Sequence, residues 1–302
     1  MSQYQRIFLI ADPSMRRTPA FERAVWLAKK SEAALHIALF DRNSFLSAAA
    51  LISKEASAEA IVDWTLVRND WLHMQAAQLL HEGGLEVTTE FVWARPAQDE
   101  ILLRVADQAP DLLIKDVEYE SHLKRVMFRP LDWQLLRHSV TPLLLVNDRS
   151  QANPRRVIAA VDATDDSVEH NALNHRVIEQ ARRLAMLCGA ELHLIYVYAA
   201  EAATADPSGP GATLLGEIYN TMLPAHRRHF EELANTHEIP MDCRHFLFGP
   251  PAFTITEFAG ADRGDVLVIG SMRHGLADRL LMGTTAEAIL DHASCNVLAV
   301  KI

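Results

Sequence analysis

One stretch of the chain, GSMRHGLADRLLMGTTAEAIL from Gly270 to Leu290, combines glycines, hydroxyls and basic side chains. It follows the apolar run DVLVIG and leads into a helical pattern, so it joins a predicted strand to a predicted helix. Main-chain N–H groups in such a turn, and at the start of a helix, can surround a phosphate. Thr284, Thr285 and Glu287 also suit the cap of a helix. The stretch therefore has two interpretations, an anion site or only a turn and a helix cap.

Two common nucleotide-binding motifs are absent from the sequence. Gly211 and Gly216 have the spacing of a P-loop, as do Gly270 and Gly275, but the Lys and hydroxyl residue that complete this motif do not follow. The first apolar run of each half leads into ADPSMRR or VDATDDS, without the glycines of a dinucleotide-binding turn. We therefore predict neither a Walker loop nor a dinucleotide site.

Two pairs of side chains have a spacing that could suit a metal ion. His226 and His229 are three residues apart on a helical pattern, and Cys243 and His245 alternate on a strand pattern. Zinc sites usually have three or four protein ligands, and no third ligand stands at a characteristic spacing. The G-x-S-x-G nucleophile motif does not occur either. We therefore assign no metal site and no catalytic residue.

The chain repeats itself at a distance of about 150 residues. The run YQRIFLIADPS near the N-terminus matches PRRVIAAVDAT near the middle, which places Asp12 over Asp162. Four further blocks match in the same order. We predict two copies of one domain, residues 1–149 and 154–302, joined by a short polar linker.

Each copy alternates short apolar runs with longer helical patterns. Most of the apolar runs are nearly continuous, which is typical of strands buried on both faces. Alternating strands and helices predict a parallel sheet with right-handed crossovers. The predicted fold class is therefore α/β, with two tandem doubly wound domains that each contain a five-stranded parallel sheet. Pro224 lies inside a helical pattern and is expected to kink or split that helix.

Ligands of open doubly wound sheets bind beyond the carboxyl ends of the strands, where the strand order reverses. In the second copy this edge is reached by Asp162 after strand one and by Val197 at the end of strand two. Gly249–Pro251 follows strand three, and Gly270 ends strand four. The glycine-containing stretch therefore begins at the edge where a ligand is expected.

Charge and hydropathy limit the partners of the chain. Its 302 residues carry a formal net charge of -10, which disfavours nucleic acid and anionic membrane surfaces. No apolar run approaches the roughly 20 residues of a membrane helix, and the N-terminal run is too short for a signal peptide. The three cysteines are widely spaced and do not suggest a disulfide framework. We expect a cytoplasmic protein whose partners include neither nucleic acid nor a membrane.

The order of these features resembles the universal stress protein family over nearly the whole chain. The shared features are an Asp that ends strand one, the turn GPP from Gly249, and a VIGS strand end that leads to GTTAEAIL. The doubled unit is similar to the tandem, E-type members of the family. This resemblance implies a Rossmann-like, adenine nucleotide alpha hydrolase-like fold in each copy, and an internal pseudo-dimer of the two copies.

The resemblance also implies a nucleotide site in the second copy. Nucleotide-binding members carry Gly-x2-Gly-x9-Gly-Ser/Thr, and Gly270, Gly283 and Thr284 keep its outer positions. Arg273 replaces the middle glycine, where it could block the phosphate or bind it through the guanidinium. The family's base contacts map to the ends of strands one and two. The predicted nucleotide-binding residues are Asp162, Val197, Gly270, Ser271, Arg273, Gly283, Thr284 and Thr285.

The first copy lacks this pattern. The repeat places Lys115 over Gly270, and the sequence DVEYESHLKRVMFRP at the end of its fourth strand contains no glycine. Asp116, Glu118 and Glu120 would repel a phosphate there. We predict a degenerate first copy that pairs with the second and holds no nucleotide of its own.

We expect a stress-response protein that senses a ligand or interacts with a partner, without efficient turnover. The expected ligand is ATP with Mg²⁺, or a related nucleotide, bound in the second copy with weakened or altered affinity. One alternative is a slow ATP hydrolase that uses the Gly270–Thr285 stretch with a metal held near Asp162. A second alternative is a binder of a lipid-like or other apolar molecule, with the first copy as the favoured cavity. Association of two chains as a homodimer is a further expectation.

Overall fold

The computed structural model describes two compact units, Met1–Asp148 and Arg149–Ile302. Each unit contains five parallel strands connected through helices. The predicted α/β fold class is therefore confirmed. The residues that the structure describes are 3–41, 54–93, 97–117, 131–147, 154–164, 167–199, 212–260, 266–271 and 284–302.

Strands and helices alternate throughout the first unit. Its elements are β1 (Arg6–Ala11), α1 (Pro19–Ser31), β2 (Ala34–Phe40), α2 (Lys54–Gly83), β3 (Val87–Val92), α3 (Ala97–Gln108), β4 (Leu112–Asp116), α4 (Leu131–His138) and β5 (Leu143–Val146).

The second unit repeats this order. Its elements are β6 (Arg156–Ala160), α5 (Val168–Cys188), β7 (Glu191–Tyr198), α6 (Ala212–Thr236), a short 3-10 turn (Met241–Cys243), β8 (Arg244–Phe248), α7 (Pro251–Gly260), β9 (Val266–Gly270), α8 (Thr284–His292) and β10 (Asn296–Val300).

The strand order is β3-β2-β1-β4-β5 in the first unit and β8-β7-β6-β9-β10 in the second. Strands β1 and β6 lie in the middle of their sheets, and their apolar side chains are almost fully buried. The more alternating run that forms β3 lies at the outer end of its sheet, where burial is less complete. The order reverses beside β1 and β6, which places a crevice at the carboxyl edge of each sheet.

Helix α5 begins about two turns earlier in the repeat than its counterpart α1. It has 21 residues where α1 has 13, although the matched segments that end the two helices start at Trp26 and Arg183. Ser167 caps α5 by accepting a hydrogen bond from the His170 N–H. The strand and the helix are joined by seven residues in each unit, 12–18 and 161–167, so the additional turns are an insertion in the second unit. They supply side chains to the carboxyl edge of the second sheet.

Pro224 does not divide helix α6, which runs unbroken from Ala212 to Thr236. Of the two expected effects of Pro224, the split is therefore wrong, and the kink stays a prediction. Proline removes one main-chain hydrogen bond, but the helix continues because its later turns are anchored in the core. Phe230, Leu233 and Ala234 are buried there.

The strand register corrects one position of the repeat. Ile7 of β1 pairs with Leu112, and its repeat counterpart Val157 pairs with Val266. Counting along the two strands then places Lys115 over Ile269 and Asp116 over Gly270. The alignment of Lys115 with Gly270 is therefore wrong by one residue. In a strand, such a shift moves a side chain to the opposite face of the sheet.

Candidate functional site

A cavity of about 290 Å³ lies at the carboxyl edge of the sheet in the second unit. It is lined by the ends of β6, β7 and β9 and by the first turns of α5, α7 and α8. This is the edge where doubly wound folds bind ligands. The lining residues are Ala160, Val161, Asp162, Thr164, His170, Leu173, Asn174, Val177, Tyr196, Val197, Ala199, Pro251, Ile255, Ile269, Gly270, Ser271, Thr285, Ala286 and Ile289.

Asn174 holds the main chain of Asp162 at the cavity. Its side-chain Oδ1 accepts a hydrogen bond from the Asp162 N–H at 2.9 Å, and its Nδ2 donates to the Asp162 carbonyl at 2.6 Å. The side-chain amide of Asn174 thus satisfies the two main-chain groups of Asp162 that a neighbouring strand would satisfy inside the sheet. Asn174 is buried, with 4% of its surface exposed. Its loss would leave the N–H and the carbonyl of Asp162 without these two hydrogen bonds. The position of Asp162 therefore depends on the additional turns of α5.

The Asp162 side chain forms a turn with Thr164. One carboxylate oxygen accepts hydrogen bonds from the Thr164 N–H, at 2.9 Å, and from the Thr164 hydroxyl. Both residues are exposed and both line the cavity. Asp162 therefore brings an acidic group to the cavity in a conformation that its own turn holds.

Tyr196 and His226 form a buried hydrogen bond beside the cavity, with 2.7 Å between the hydroxyl and Nδ1. Burial raises the pKa of the Tyr196 hydroxyl, and the charge of Asp162 raises it further. Burial lowers the pKa of His226, while Asp162 opposes that change. Both side chains are therefore neutral near neutral pH, and their bond ties β7 to α6 next to the site.

Gly270 ends β9 directly against helix α5. A Cβ at this position would stand 2.8 Å from Cδ2 of Leu173 and 2.9 Å from its Cγ. Protein interiors are too closely packed to accept such contacts without movement. The approach of α5 therefore explains this glycine without any phosphate.

Ser271 adds a buried hydroxyl to the cavity lining. Its N–H donates to the Val300 carbonyl at 2.9 Å, which fixes the main chain after β9. The residue is 4% exposed, and its Oγ has no hydrogen-bond partner among the residues that the structure describes. Because buried hydroxyls are normally paired, this oxygen is a candidate contact for a bound ligand.

The turn after β8 also reaches the site. Gly249 has a φ of 141°, and a Cβ there would stand 2.6 Å from the Thr254 hydroxyl, so the position requires glycine. Its N–H donates to the Tyr198 carbonyl at 3.1 Å. Pro251 then begins α7 and lines the cavity. The GPP sequence thus turns the chain from the sheet into the cavity wall.

The cavity brings together most of the residues that the sequence singles out as nucleotide-binding. Thr284 begins helix α8, but its side chain is not among those described. Arg273 and Gly283 lie outside the described residues, so the two roles of Arg273 stay predictions. The predicted residues that line the cavity are Asp162, Val197, Gly270, Ser271 and Thr285.

Sequence reasoning missed four cavity residues on α5, of which Val177 lies on the part of the helix that both copies share. His170, Leu173 and Asn174 lie on the turns that the first copy lacks, so comparison of the repeats gives no counterpart for them. The available signal was Ser167, a favoured N-cap residue that stands nine residues before the part of the helix shared by both copies.

The first unit fills the equivalent edge with its own charged groups. Asp116 stands at the position of Gly270, and its carboxylate accepts hydrogen bonds from the Thr18 hydroxyl, at 2.5 Å, and from the Ala20 N–H, at 3.0 Å. Burial raises the pKa of this carboxyl, and the two hydrogen bonds oppose the change. A side-chain carboxylate thus occupies the start of α1, where an anion would otherwise be favoured.

A buried ion pair lies next to it. Lys115 Nζ is 2.8 Å from Oδ1 of Asp132, and the two side chains are 6% and 10% exposed. Lys115 also donates to the Asp116 carbonyl at 2.9 Å. The repeat places this pair over Ile269 and Ala286, which both line the cavity of the second unit. The first unit therefore places an ion pair where the second has a cavity wall.

The residue pairs with metal-like spacing have other partners. His226 bonds to Tyr196, and His245 bonds to His193 with 2.9 Å between ring nitrogens. Within the described ranges, no group of three or more His, Cys, Asp or Glu side chains is arranged to hold a metal ion. In the same part of the chain, no helix has the length and apolar character needed to cross a membrane.

The fold and the site define a class of protein, a tandem doubly wound α/β protein with a cavity at the carboxyl edge of the sheet in its second repeat. The chain belongs to the universal stress protein family, whose sequence model matches residues 3–147 and 154–301. The family and the tandem organisation predicted from the sequence are thereby confirmed.

Curated relatives match along the full length. The chain is 28% identical to universal stress protein E of Photorhabdus laumondii, with 100% of this chain and 96% of the relative covered. It is 26% identical to universal stress protein E of Escherichia coli K12, with 100% and 95% covered.

Solved structures show the same architecture. A protein of unknown function from Pseudomonas aeruginosa PAO1 superposes with a TM-score of 0.73 at 25% identity, over 99% of this chain and 93% of its own. A universal stress protein from Archaeoglobus fulgidus gives a TM-score of 0.63 at 16% identity, over 99% and 97% of the two chains. The second likeness concerns the fold alone.

Proposed function

We propose that the chain is a cytoplasmic stress-response protein whose second unit binds ATP or a related nucleotide without efficient turnover. Its membership of the universal stress protein family and the names of its full-length relatives support the stress-response role. The observation that supports ligand binding is the cavity at the carboxyl edge of the second sheet. There Asn174 fixes Asp162, and the buried Ser271 hydroxyl lacks a partner among the described residues.

Magnesium is part of the proposal because Mg²⁺ in nucleotide sites is usually held by substrate phosphates together with one or two carboxylates. Asp162 lines the cavity where the resemblance places a base contact, so the ion is expected on the phosphates of ATP. Arg273 would then either exclude the phosphates or bind them.

Calorimetric titration with ATP, ADP and AMP, in chelator and in Mg²⁺, tests the proposal. The cavity-filling variant Ala286→Leu should lose binding, because Ala286 is buried and lines the cavity. Ala288→Leu is the matched control, since Ala288 lies on the same helix but is not part of the lining. The absence of both heat and thermal shift at millimolar nucleotide would contradict nucleotide binding.

The role of Arg273 is separable from binding itself. Tighter nucleotide binding by Arg273→Gly would mean that the side chain obstructs the site, and weaker binding would mean that it holds phosphate. Titration of this variant beside the wild-type protein therefore decides between the two roles.

Two alternatives are tested by the same preparations. Phosphate release from ATP no faster than in buffer, with binding intact, would exclude the slow hydrolase. The mainly apolar lining of the second-unit cavity supports an apolar ligand there, although the sequence favoured the first copy for that role. Displacement of a bound fluorescent fatty acid by nucleotide would show whether both use one cavity.

The cytoplasmic location is supported by the three cysteines, none of which is in a disulfide. The internal pseudo-dimer and the homodimer stay predictions. Light scattering of the purified chain tests the homodimer, which requires twice the mass of 33.7 kDa.

A further inference from the structure

His229 of helix α6 has an oxygen atom opposite each of its two ring nitrogens. Its Nε2 is 2.7 Å from Oδ1 of Asn171, in the first turn of α5, and its Nδ1 is 3.4 Å from the carbonyl oxygen of Ala163. Ala163 is buried and stands between Asp162 and Thr164, which both line the cavity. His229 therefore joins α6 to the start of α5 and to the turn that carries Asp162.

The two oxygen atoms make different demands on a neutral and on a protonated ring. Each of them can only accept a hydrogen bond. A neutral imidazole carries one N–H, so it can donate to Asn171 or to Ala163 and must point a lone pair at the other oxygen. The imidazolium ion carries two N–H groups and can donate to both oxygens at once. Proton uptake by His229 therefore strengthens the connection of α6 to α5 and to the Asp162 turn.

The other histidine on this face of α6, His226, is kept neutral by its surroundings. Burial lowers the pKa of His226, Asp162 opposes this change, and the charge of His229 lowers the pKa further. Its Nδ1 bonds to the Tyr196 hydroxyl at 2.7 Å, which a neutral ring can do. A proton taken up by the two histidines therefore resides on His229.

Titratable side chains on the neighbouring elements set the charge around His229. The turn after β6, the start of α5 and strand β7 pack against this part of α6. The Asp162 carboxylate belongs to the residue next to Ala163, and its negative charge favours a protonated ring. Among the described residues, these elements bring Asp162, Glu169, His170, Tyr196 and Tyr198, and α6 itself adds His226, Arg228 and Glu232.

We propose that His229 couples proton uptake to ligand binding at the cavity of the second unit. The protonated ring holds the Asp162 turn in the conformation that lines the cavity, so the ligand meets a preformed wall. The affinity for the ligand then rises as the pH falls through the range in which histidine titrates. By linkage, the bound ligand favours proton uptake by His229 to the same extent. This inference rests on the proposed function and adds a regulator to its site.

Calorimetric titration of the full chain with ATP at about pH 6 and about pH 8 tests the coupling. His229→Gln removes the titrating ring, and His73→Gln is the control, because His73 is exposed on α2 of the first unit. ATP itself takes up a proton in this range, so the constants are compared between proteins at each pH. From about pH 8 to about pH 6, the wild type and the control should gain about fivefold in affinity relative to His229→Gln.

The outcomes of this titration separate the inference from the proposed function. A ratio of wild-type to His229→Gln dissociation constants that is the same at both pH values would overturn the inference and leave the proposed function intact. The absence of ATP binding at both pH values would refute the proposed function, and the inference with it.

Nitrogen NMR of histidine-labelled protein reads the protonation of the ring directly, and His229→Gln assigns its signals. Both ring nitrogens of His229 should carry a proton near pH 6, and saturating ATP at about pH 7 should raise the protonated fraction. A ring that stays neutral near pH 6, with its proton on Nδ1, would mean that the Asn171 amide donates to Nε2. That result would overturn the inference.

Asn171→Asp is a second variant that should move the coupling instead of removing it. An aspartate at this position accepts from Nε2 as the asparagine does, and its negative charge favours the protonated ring. The acid enhancement of ATP affinity should therefore begin at a higher pH than in the wild type. An enhancement that begins at the same pH or at a lower pH would overturn the inference. Melting temperatures establish that each variant is folded.

Discussion

The buried pair Lys115–Asp132 allows a direct test of why the two repeats differ. The perturbation replaces each member by its counterpart in the second unit, as Lys115→Ile, Asp132→Ala and the double variant. Removing one member of a buried ion pair costs about 3 to 5 kcal/mol, whereas replacing both by apolar residues is often nearly neutral. With 2.8 Å between Nζ and Oδ1 and exposures of 6% and 10%, this pair belongs to the buried class.

We therefore expect each single variant to lose about 3 kcal/mol of unfolding free energy, and the double variant to lose clearly less than the sum. Urea unfolding followed by tryptophan fluorescence measures this loss in the first unit alone, because all five tryptophans belong to it. They are Trp26, Trp64, Trp71, Trp93 and Trp133.

Glu100→Ala is the control for this series. It breaks the Arg104–Glu100 pair on the surface of α3, where the atoms are 3.6 Å apart and Glu100 is 38% exposed. Such an exposed pair is worth about 0.5 kcal/mol or less. The reasoning fails if Lys115→Ile costs no more than this control, or if the losses of the single variants simply add in the double variant.

Three further perturbations concern the second unit, and circular dichroism measures their effect on unfolding. Gly270→Ala should lower the free energy of unfolding by about 1 to 3 kcal/mol, because its Cβ would overlap Leu173. Adding Leu173→Ala to the same chain should relieve part of that loss, and strictly additive effects of the two substitutions would contradict this explanation. Asn174→Ala should lower the free energy of unfolding by about 2 kcal/mol or more and weaken ligand binding, because it removes the hydrogen bonds to the N–H and the carbonyl of Asp162. An unchanged melting temperature would argue against this role of Asn174. Burial lowers the pKa of His226 from its usual 6.5, so the unfolded state binds more protons than the folded state and the free energy of unfolding should fall as the pH drops through about 6.5. His226→Gln should reduce the slope of unfolding free energy against pH, and an unaltered slope would refute the assignment.

The fold could be predicted from the sequence because buried strands and helices carry characteristic patterns of apolar residues. Nearly continuous apolar runs separated by helical patterns predicted parallel strands, and the repeat predicted two tandem units of one family. Val197 and Asp162 could be placed at the carboxyl edge because the end of a buried strand is visible in sequence. These inferences depend on local pattern and on the rules of sheet topology.

The contacts that shape the cavity were not predictable in this way. Asn174 and Leu173 reach from α5 to the sheet, where Asn174 bonds to Asp162 and Leu173 packs against Gly270. No local sequence pattern indicates which strand end a helical side chain contacts. Pro224 suggested a broken helix because local propensity ignores the packing that holds the later turns together.

The correct position of Lys115 is already present in the sequence. The runs PDLLIKD from Pro110 and GDVLVIGS from Gly264 match without a gap, which places Lys115 over Ile269 and Asp116 over Gly270. Hydrogen-bond pairing with β1 and β6 gives the same register. Asp116 therefore stands at the glycine position, and it caps α1.

The ion pair of the first unit has a consequence for how the whole chain would respond to its ligand. Duplication of a receptor domain ordinarily provides two sites that can act cooperatively. Here Lys115 and Asp132 take the place of two wall residues in one of the copies. The stoichiometry expected for the proposed site is therefore one ligand per chain, with a hyperbolic titration and a Hill coefficient of one. Such a receptor reports concentration in a graded manner and has no threshold of its own.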